Sequence, residues 1–240
     1  MTLKRFKNEK YNNIASSIEH EFKAEAIGDS TEITIYGDIG ESWWGESISA
    51  NDIKEALKNV TSDSIVVRLN SPGGDVFDGI TIYNQLKNHD AKVTIYVDGL
   101  AASAASIIAM AADELIMNTG SMLMIHEAST FTWGTKTDIK KTLNALEGID
   151  KSLADIYMIR YQGERSEIDT MIKNETWFTS SEAVEVGLAD RVNDVVDNDE
   201  EDLDSEEFKN NILKKFRNTN NPTTIAASTN NLLGKFKRQA

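Results

Sequence analysis

Ser103 stands in "DGLAASAAS", among small residues, and His126 closes the apolar run "SMLMI". A serine hydroxyl within reach of an imidazole is the minimum set for acyl transfer, because the base takes the proton as the oxygen attacks. "NSPGGD", Asn70 to Asp75, supplies a third part. Gly-Gly admits positive φ and lets another backbone come close, and exposed N–H groups there can bind an oxyanion or an extended peptide. Each signal has an ordinary alternative. Pro-Gly-Gly is common turn chemistry, small residues open helices for packing or capping, and a histidine after an apolar run can be a satisfied strand-edge residue. Ser106 is the competing serine. It lies one helical turn further on and reads as a residue that packs or bonds within its own helix.

The elements that must position these residues alternate in type. "TEITIYGDI" alternates as a strand should. "SANDIKEALKNV" follows with helical spacing and with Ser49 or Asn51 as N-cap. Then come the strand "SIVVRLN", the turn "SPGGD", the helix "VFDGITIYNQLKNH", the strand "KVTIYVDG" ending at Gly99, the helix "SAASIIAMAAD" and the strand "ELIMN". This β-α-β-α-β-α-β order, with short connections, predicts an α/β fold with a mostly parallel, helix-covered sheet. The glycine loop, Ser103 and His126 each follow a strand, so a parallel sheet gathers them at one edge, where open α/β sheets hold their sites. A long helical pattern spans 137–162, with apolar residues at Ile139, Leu143, Leu146, Ile149, Leu153 and Ile156. "SEAVEVGLAD" is a further helix, leading into "RVNDVV".

Composition removes several function classes. There is no cysteine, so disulfides, thiolate catalysis and cysteine-bound zinc are excluded. His20, His89 and His126 are too scattered for an evident metal cluster. A formal charge of −14 argues against nucleic acid as the main partner. No apolar run reaches the roughly 18–20 residues of a membrane span, and the basic start has no apolar stretch behind it, unlike a secretory signal. A cytoplasmic protein that needs neither metal nor cofactor is the expectation.

In order, "NSPGGDVFDGITIYNQL", "VDGLAASAAS", "LMIHEAS" and "ETWFTSSEAVEVGLADRV" resemble the proteolytic-subunit family of Clp proteases, over about residues 30–196. "YGDIGESWWGESISANDI" and "ETWFTSSEAVEVGLAD" look most like the Clp-related head-maturation (prohead) proteases of tailed phages. The resemblance implies a fold of repeated β-β-α and β-α units shared with the crotonases, plus a projecting helical handle, for which residues 131–165 are the candidate. It implies Ser103 as nucleophile, His126 as general base, and the Gly74 and Ala104 N–H groups as oxyanion hole. The family's third triad member is usually an aspartate two residues before the aromatic. Here Glu175 takes that place before Trp177, a departure that leaves Asn174 and Asp169 as nearby alternatives. Gly73, Asp75 and Val76 are expected to pair with the substrate as an added strand.

The expected layout is a polar N-terminal segment over 1–28, a protease domain over 29–196 and a charge-segregated, disordered tail over 197–240. In the tail, eight of the eleven residues from Asp197 to Glu207 are acidic, and none from Phe208 to Ala240 is. The function implied is a serine endopeptidase that processes phage capsid or scaffold proteins during head maturation, in the bacterial host cytoplasm. Its partners would be protein or peptide substrates and copies of itself in a ring of seven, single or stacked. A cellular peptidase fed by a separate ATP-driven unfoldase is the alternative. A silent scaffold or crotonase-like binding domain is the non-enzyme alternative.

Overall fold

The sheet begins inside the segment expected to be a polar N-terminal extension. In the computed structural model, which describes residues 6–7, 17–40 and 46–193, β1 (Glu21–Ile27) is an edge strand. It pairs antiparallel with β2 (Ser30–Tyr36), Ile27 facing Ser30 across a two-residue turn at Gly28, whose φ is 60°. The expected boundary at 28 is thus corrected to about 20. β1 was hard to read because most of its side chains remain exposed, so its sequence carries little apolar alternation. All described residues fall in one compact unit, Met1–Val195. The expected tail over 197–240 lies outside the described residues.

From β2 onward the alternation is as expected. α1 (Ala50–Leu57) leads to β3 (Ser64–Ser71), α2 (Val76–Lys87) to β4 (Lys92–Ala102), and α3 (Ala104–Ala109) to β5 (Glu114–Asn118). β2, β3, β4 and β5 pair in parallel, and β8 (Arg191–Asn193) closes that path. α1 and α2 start where the sequence can satisfy their free N–H groups. Ser49 and Asp52 form a capping box on α1, and the Asp75 carboxylate accepts from the Phe77 and Asp78 N–H groups on α2. One sheet face is wholly apolar: Ile33, Ile35, Ile65, Val67, Leu69, Val93, Ile95 and Val97 are buried. Ile53 of α1, Ile82 and Leu86 of α2 and Ile107 of α3 belong to the same core. The other face is half-buried and polar, and Arg68 lies over the Tyr96 ring at 5.1 Å.

β4 is longer than its sequence suggests and serves two neighbours. Thr94 to Val97 pair with β5, while Leu100 to Ala102 pair with β6 (Met122–Ile125). β4 therefore continues three residues past Gly99, to just before Ser103. The split is made by a register shift: Leu69 faces Val97, but Ser71 faces Ala101. Asn70 fills the gap, its side-chain oxygen accepting from the Leu100 N–H at 3.0 Å. Asp98, one of the extra residues on β4, accepts from Tyr36 at 2.6 Å, Arg68 at 3.0 Å and Asn118 at 2.6 Å. A side-chain amide thus replaces a ladder bond, and a polar cluster ties down the strand that carries Ser103.

β6 also pairs antiparallel with β7 (Thr176–Thr179). Between them lie α4 (Lys136–Tyr157) and α5 (Arg165–Asn174), and α6 (Ser180–Glu185) follows. α4 has 22 residues and a capping box of Thr135 and Asp138. Its last turns bury Leu153, Ala154 and Tyr157, whereas Ile139 and Leu143 near its start are exposed. Among the described residues, no helix is long and apolar enough to cross a membrane.

Candidate active site

The end of β4 runs straight into a strained turn. Ser103 has φ 55° and ψ −126°, a conformation that costs a residue with a side chain about 1–3 kcal/mol. It occupies the N-cap position of α3, yet its hydroxyl makes no cap bond. The backbone holds the turn instead. The Ser103 N–H donates to the Met124 carbonyl at 3.0 Å, and its own carbonyl accepts from the Ser106 N–H at 2.9 Å. The Ser106 hydroxyl also donates to that carbonyl, at 2.6 Å, and lies 2.7 Å from the Tyr157 hydroxyl. Ser106 is wholly buried, so its oxygen is spent on bracing the turn.

The freed Ser103 Oγ lies 2.7 Å from His126 Nε2. His126 follows the last residue of β6, and β6 lies beside β4 with Ala102 facing Met124. Parallel pairing of these two strands therefore sets the distance between the two side chains. Burial holds the His126 imidazole below its ordinary value of 6.5; the Glu175 charge pulls the other way, Lys7 lowers it further, and Glu127 raises it. The ring is thus neutral at pH 7, as a general base must be.

Glu175 enters through β7. Met124 faces Trp177 and Ile125 faces Thr176, so one more step of the same antiparallel register sets Glu175 across from His126. Glu175 has φ 53°, a left-handed turn between α5 and β7, and is 9 % exposed. Its carboxylate accepts from the Lys7 N–H at 2.7 Å and the Trp177 indole at 3.3 Å. Of the alternatives, Asp169 is exposed and paired with Arg165 at 3.1 Å, and Asn174 is exposed.

The glycine loop reaches the same place. A Cβ on Gly73 would sit 2.6 Å from the Ala102 carbonyl and 2.8 Å from the Ala104 nitrogen, and Gly73 has φ 87°. A Cβ on Gly74 would lie 2.0 Å from the Ile39 carbonyl. Only glycine fits between Ile39 on one side and the Ser103 turn on the other. Among the described residues, neither the Gly74 nor the Ala104 N–H has a hydrogen-bond partner. Gly74, Ser103, Ala104 and His126 together line a cavity of 430 Å³, roofed by Phe77 and by Leu146 and Ile149 of α4.

The loop expected to pair with substrate, at Gly73, Asp75 and Val76, already carries backbone bonds along one edge. The Gly73 carbonyl and the Asp75 N–H are both bonded to Ile39, at 3.0 and 2.9 Å, and the Gly73 N–H is bonded to the Ser71 hydroxyl at 3.1 Å. Asp75, with extended backbone at φ −67° and ψ 127°, caps α2, Val76 is the first residue of α2, and both line the cavity. Sequence reasoning also missed Phe6 and Lys7, which touch His126 and Glu175. Their only signal was a lone aromatic in a basic stretch.

The model of the family described as "Clp protease" matches residues 25–196. The chain belongs to the Clp protease family. As a family member it is a serine-type peptidase. It is 32 % identical over 187 residues to the ATP-dependent Clp protease proteolytic subunit 1 of Protochlamydia amoebophila, covering 75 % of this chain and 85 % of that one. The Chlamydia abortus protein of the same name is 28 % identical over 166 residues, 65 % of this chain and 86 % of its own. The proteolytic subunit 3 of Rhodococcus jostii is 31 % identical over 130 residues, 53 % of this chain and 64 % of its own. The Clp-protease match thus spans the strands that bring Ser103, His126 and Glu175 together.

Proposed function

We propose that the chain is an endopeptidase in which Ser103 attacks the peptide carbonyl while His126 takes its proton. The observation that carries this is the 2.7 Å contact between Ser103 Oγ and His126 Nε2, made at a strained turn that leaves the hydroxyl no other cap bond. Glu175 balances the positive charge that His126 gains. The Gly74 and Ala104 N–H groups hold the oxyanion, an effect worth about 3–4 kcal/mol per donor in one measured protease. His126 then protonates the leaving amine, and water reverses the relay to free the acyl group. Apolar side chains such as Val76, Phe77 and Leu146 line the cavity, favouring an apolar residue at the cleaved bond. Ser103→Ala should abolish both peptide hydrolysis and fluorophosphonate labelling in a folded chain. Labelling that survives in that variant but is lost in Ser106→Ala would overturn the assignment.

As to biological role, we propose capsid or scaffold processing in phage head maturation, supported by the sequence stretches that resemble prohead proteases. A second reading, degradation with a separate ATP-driven unfoldase, is supported by the names of the chlamydial relatives. Cutting of co-expressed capsid protein at discrete sites, without ATP, favours the first. ATP-dependent digestion of a folded substrate favours the second. For assembly we propose a homo-oligomeric ring of seven, single or stacked, with α4 as the handle.

A further inference from the structure

Phe6 is 2 % exposed although its neighbours in sequence are basic and polar. Its ring meets the His126 imidazole edge-on with 6.4 Å between centroids, and the Trp177 ring with 5.3 Å. It joins Leu100, Ala102 and Met124 in a second apolar cluster, against which Ile18, Met122 and Trp177 pack. Leu100, Ala102, Met122, Met124 and Trp177 sit on the three strands that carry the site. Ala102 precedes Ser103, Met124 lies two residues before His126, and Trp177 two after Glu175.

Lys7 holds the acid. Its backbone N–H donates to Glu175 Oε2 at 2.7 Å, its ammonium donates to the Lys173 carbonyl at 2.9 Å, and the same ammonium is 3.9 Å from Glu127. A backbone donor on a buried carboxylate is a charge-assisted bond that fixes the orientation of the group. With the Trp177 indole on Oε1, both Glu175 oxygens are engaged. Two consecutive residues, more than a hundred positions away in sequence, thus contact both the base and its acid. A ring with an open side and a carboxylate with one tether fewer would both have more orientations than the productive one.

We propose that Phe6–Lys7 is a positioning strap for the proteolytic site: docked, Phe6 closes one side of the His126 ring and the Lys7 N–H sets the Glu175 carboxylate, so that efficient hydrolysis requires this segment. The proposal rests on the Ser103–His126–Glu175 reading above. It makes the contacts of Phe6 and Lys7 a means by which activity can be controlled.

The test uses the full chain and a chain lacking residues 1–7, each assayed with an internally quenched apolar peptide and with a fluorophosphonate probe. Phe6→Ala and the deletion should lower kcat/KM at least tenfold, mainly through kcat, and Phe6→Leu should recover most of the loss. The acidic limb of the pH profile should move to higher pH in Phe6→Ala, because burial is the main cause holding His126 low. Lys7→Ala should move it the same way by removing a positive charge, against the opposing charges of Glu175 and Glu127. A synthetic peptide of residues 1–12 should restore activity to the shortened chain, and the same peptide with Phe6→Ala should not. Variants with wild-type or higher kcat/KM and an unmoved limb would overturn the strap while labelled wild type keeps the site reading intact. Wild type that neither cleaves peptide nor labels at Ser103 would overturn that reading and the strap with it. If the shortened chain does not fold, the comparison of Phe6→Ala with Phe6→Leu in the full chain decides.

Discussion

Ser103 carries backbone strain that only its chemistry repays. A residue with a Cβ is unfavourable at φ 55°, whereas glycine accepts it. Ser103→Gly should therefore be more stable than Ser103→Ala by about 1 kcal/mol, although both lack the nucleophile. Thermal unfolding of the pair measures this, and equal stabilities would show that the turn is unstrained. Glu175 makes the second residue-scale prediction. Its charge raises the His126 value against burial, so Glu175→Gln should move the acidic limb of kcat/KM to lower pH. The neutral imidazole then persists further into acid, even as kcat falls for want of a counter-charge. A limb displaced to higher pH would show that Glu175 does not act on His126 in this way.

At the scale of elements, the site is held by contacts between segments that are distant in sequence. Gly73 lies against the β4-to-α3 turn with no room for a methyl group, and Gly74 lies against Ile39. Gly73→Ala should push the loop away from Ser103 and combine positive-φ strain with a clash against backbone, costing about 2 kcal/mol or more. We expect kcat/KM to drop at least tenfold while the Ser103–His126 pair still forms. Urea unfolding and peptide hydrolysis check the two effects separately, and a fully active Gly73→Ala chain would refute the close packing. The split of β4 is the other element-scale device. Asn70 repairs the ladder where the strand leaves β5 for β6, and without that change of partner His126 would not stand beside Ser103.

At the scale of the whole molecule, four of the seven large exposed apolar side chains among the described residues fall between 131 and 143. Phe131 is 86 % and Trp133 90 % exposed, and Ile139 and Leu143 follow on the first half of α4. Large side chains exposed together mark a contact surface more often than chance. Trp133→Ser combined with Leu143→Glu should reduce self-association by at least one assembly step, as read by sedimentation velocity. Because these side chains are exposed, the folding stability of the single chain should change by no more than about 0.5 kcal/mol per site. An unchanged assembly would remove this face from the interface.

Local sequence was sufficient for much of this protein. The parallel alternation, the caps at Ser49 and the glycine pair could be read because each depends on period, propensity or φ within a few residues. Ser103 and His126 could be singled out because each follows a recognisable strand, and Glu175 because its place before Trp177 matches the family resemblance. The edge strand β1 was not legible, since an exposed strand needs no apolar face. Nor was the extension of β4 past Gly99 to Ala102, which depends on β6 as a neighbour. Most of all, nothing near Phe6 or Lys7 in sequence announces their place beside His126 and Glu175. The chain's own pattern determined most of the elements and the caps that start them. Only the tertiary structure decided which ends meet, because register between strands and the burial of a lone aromatic depend on partners far along the chain.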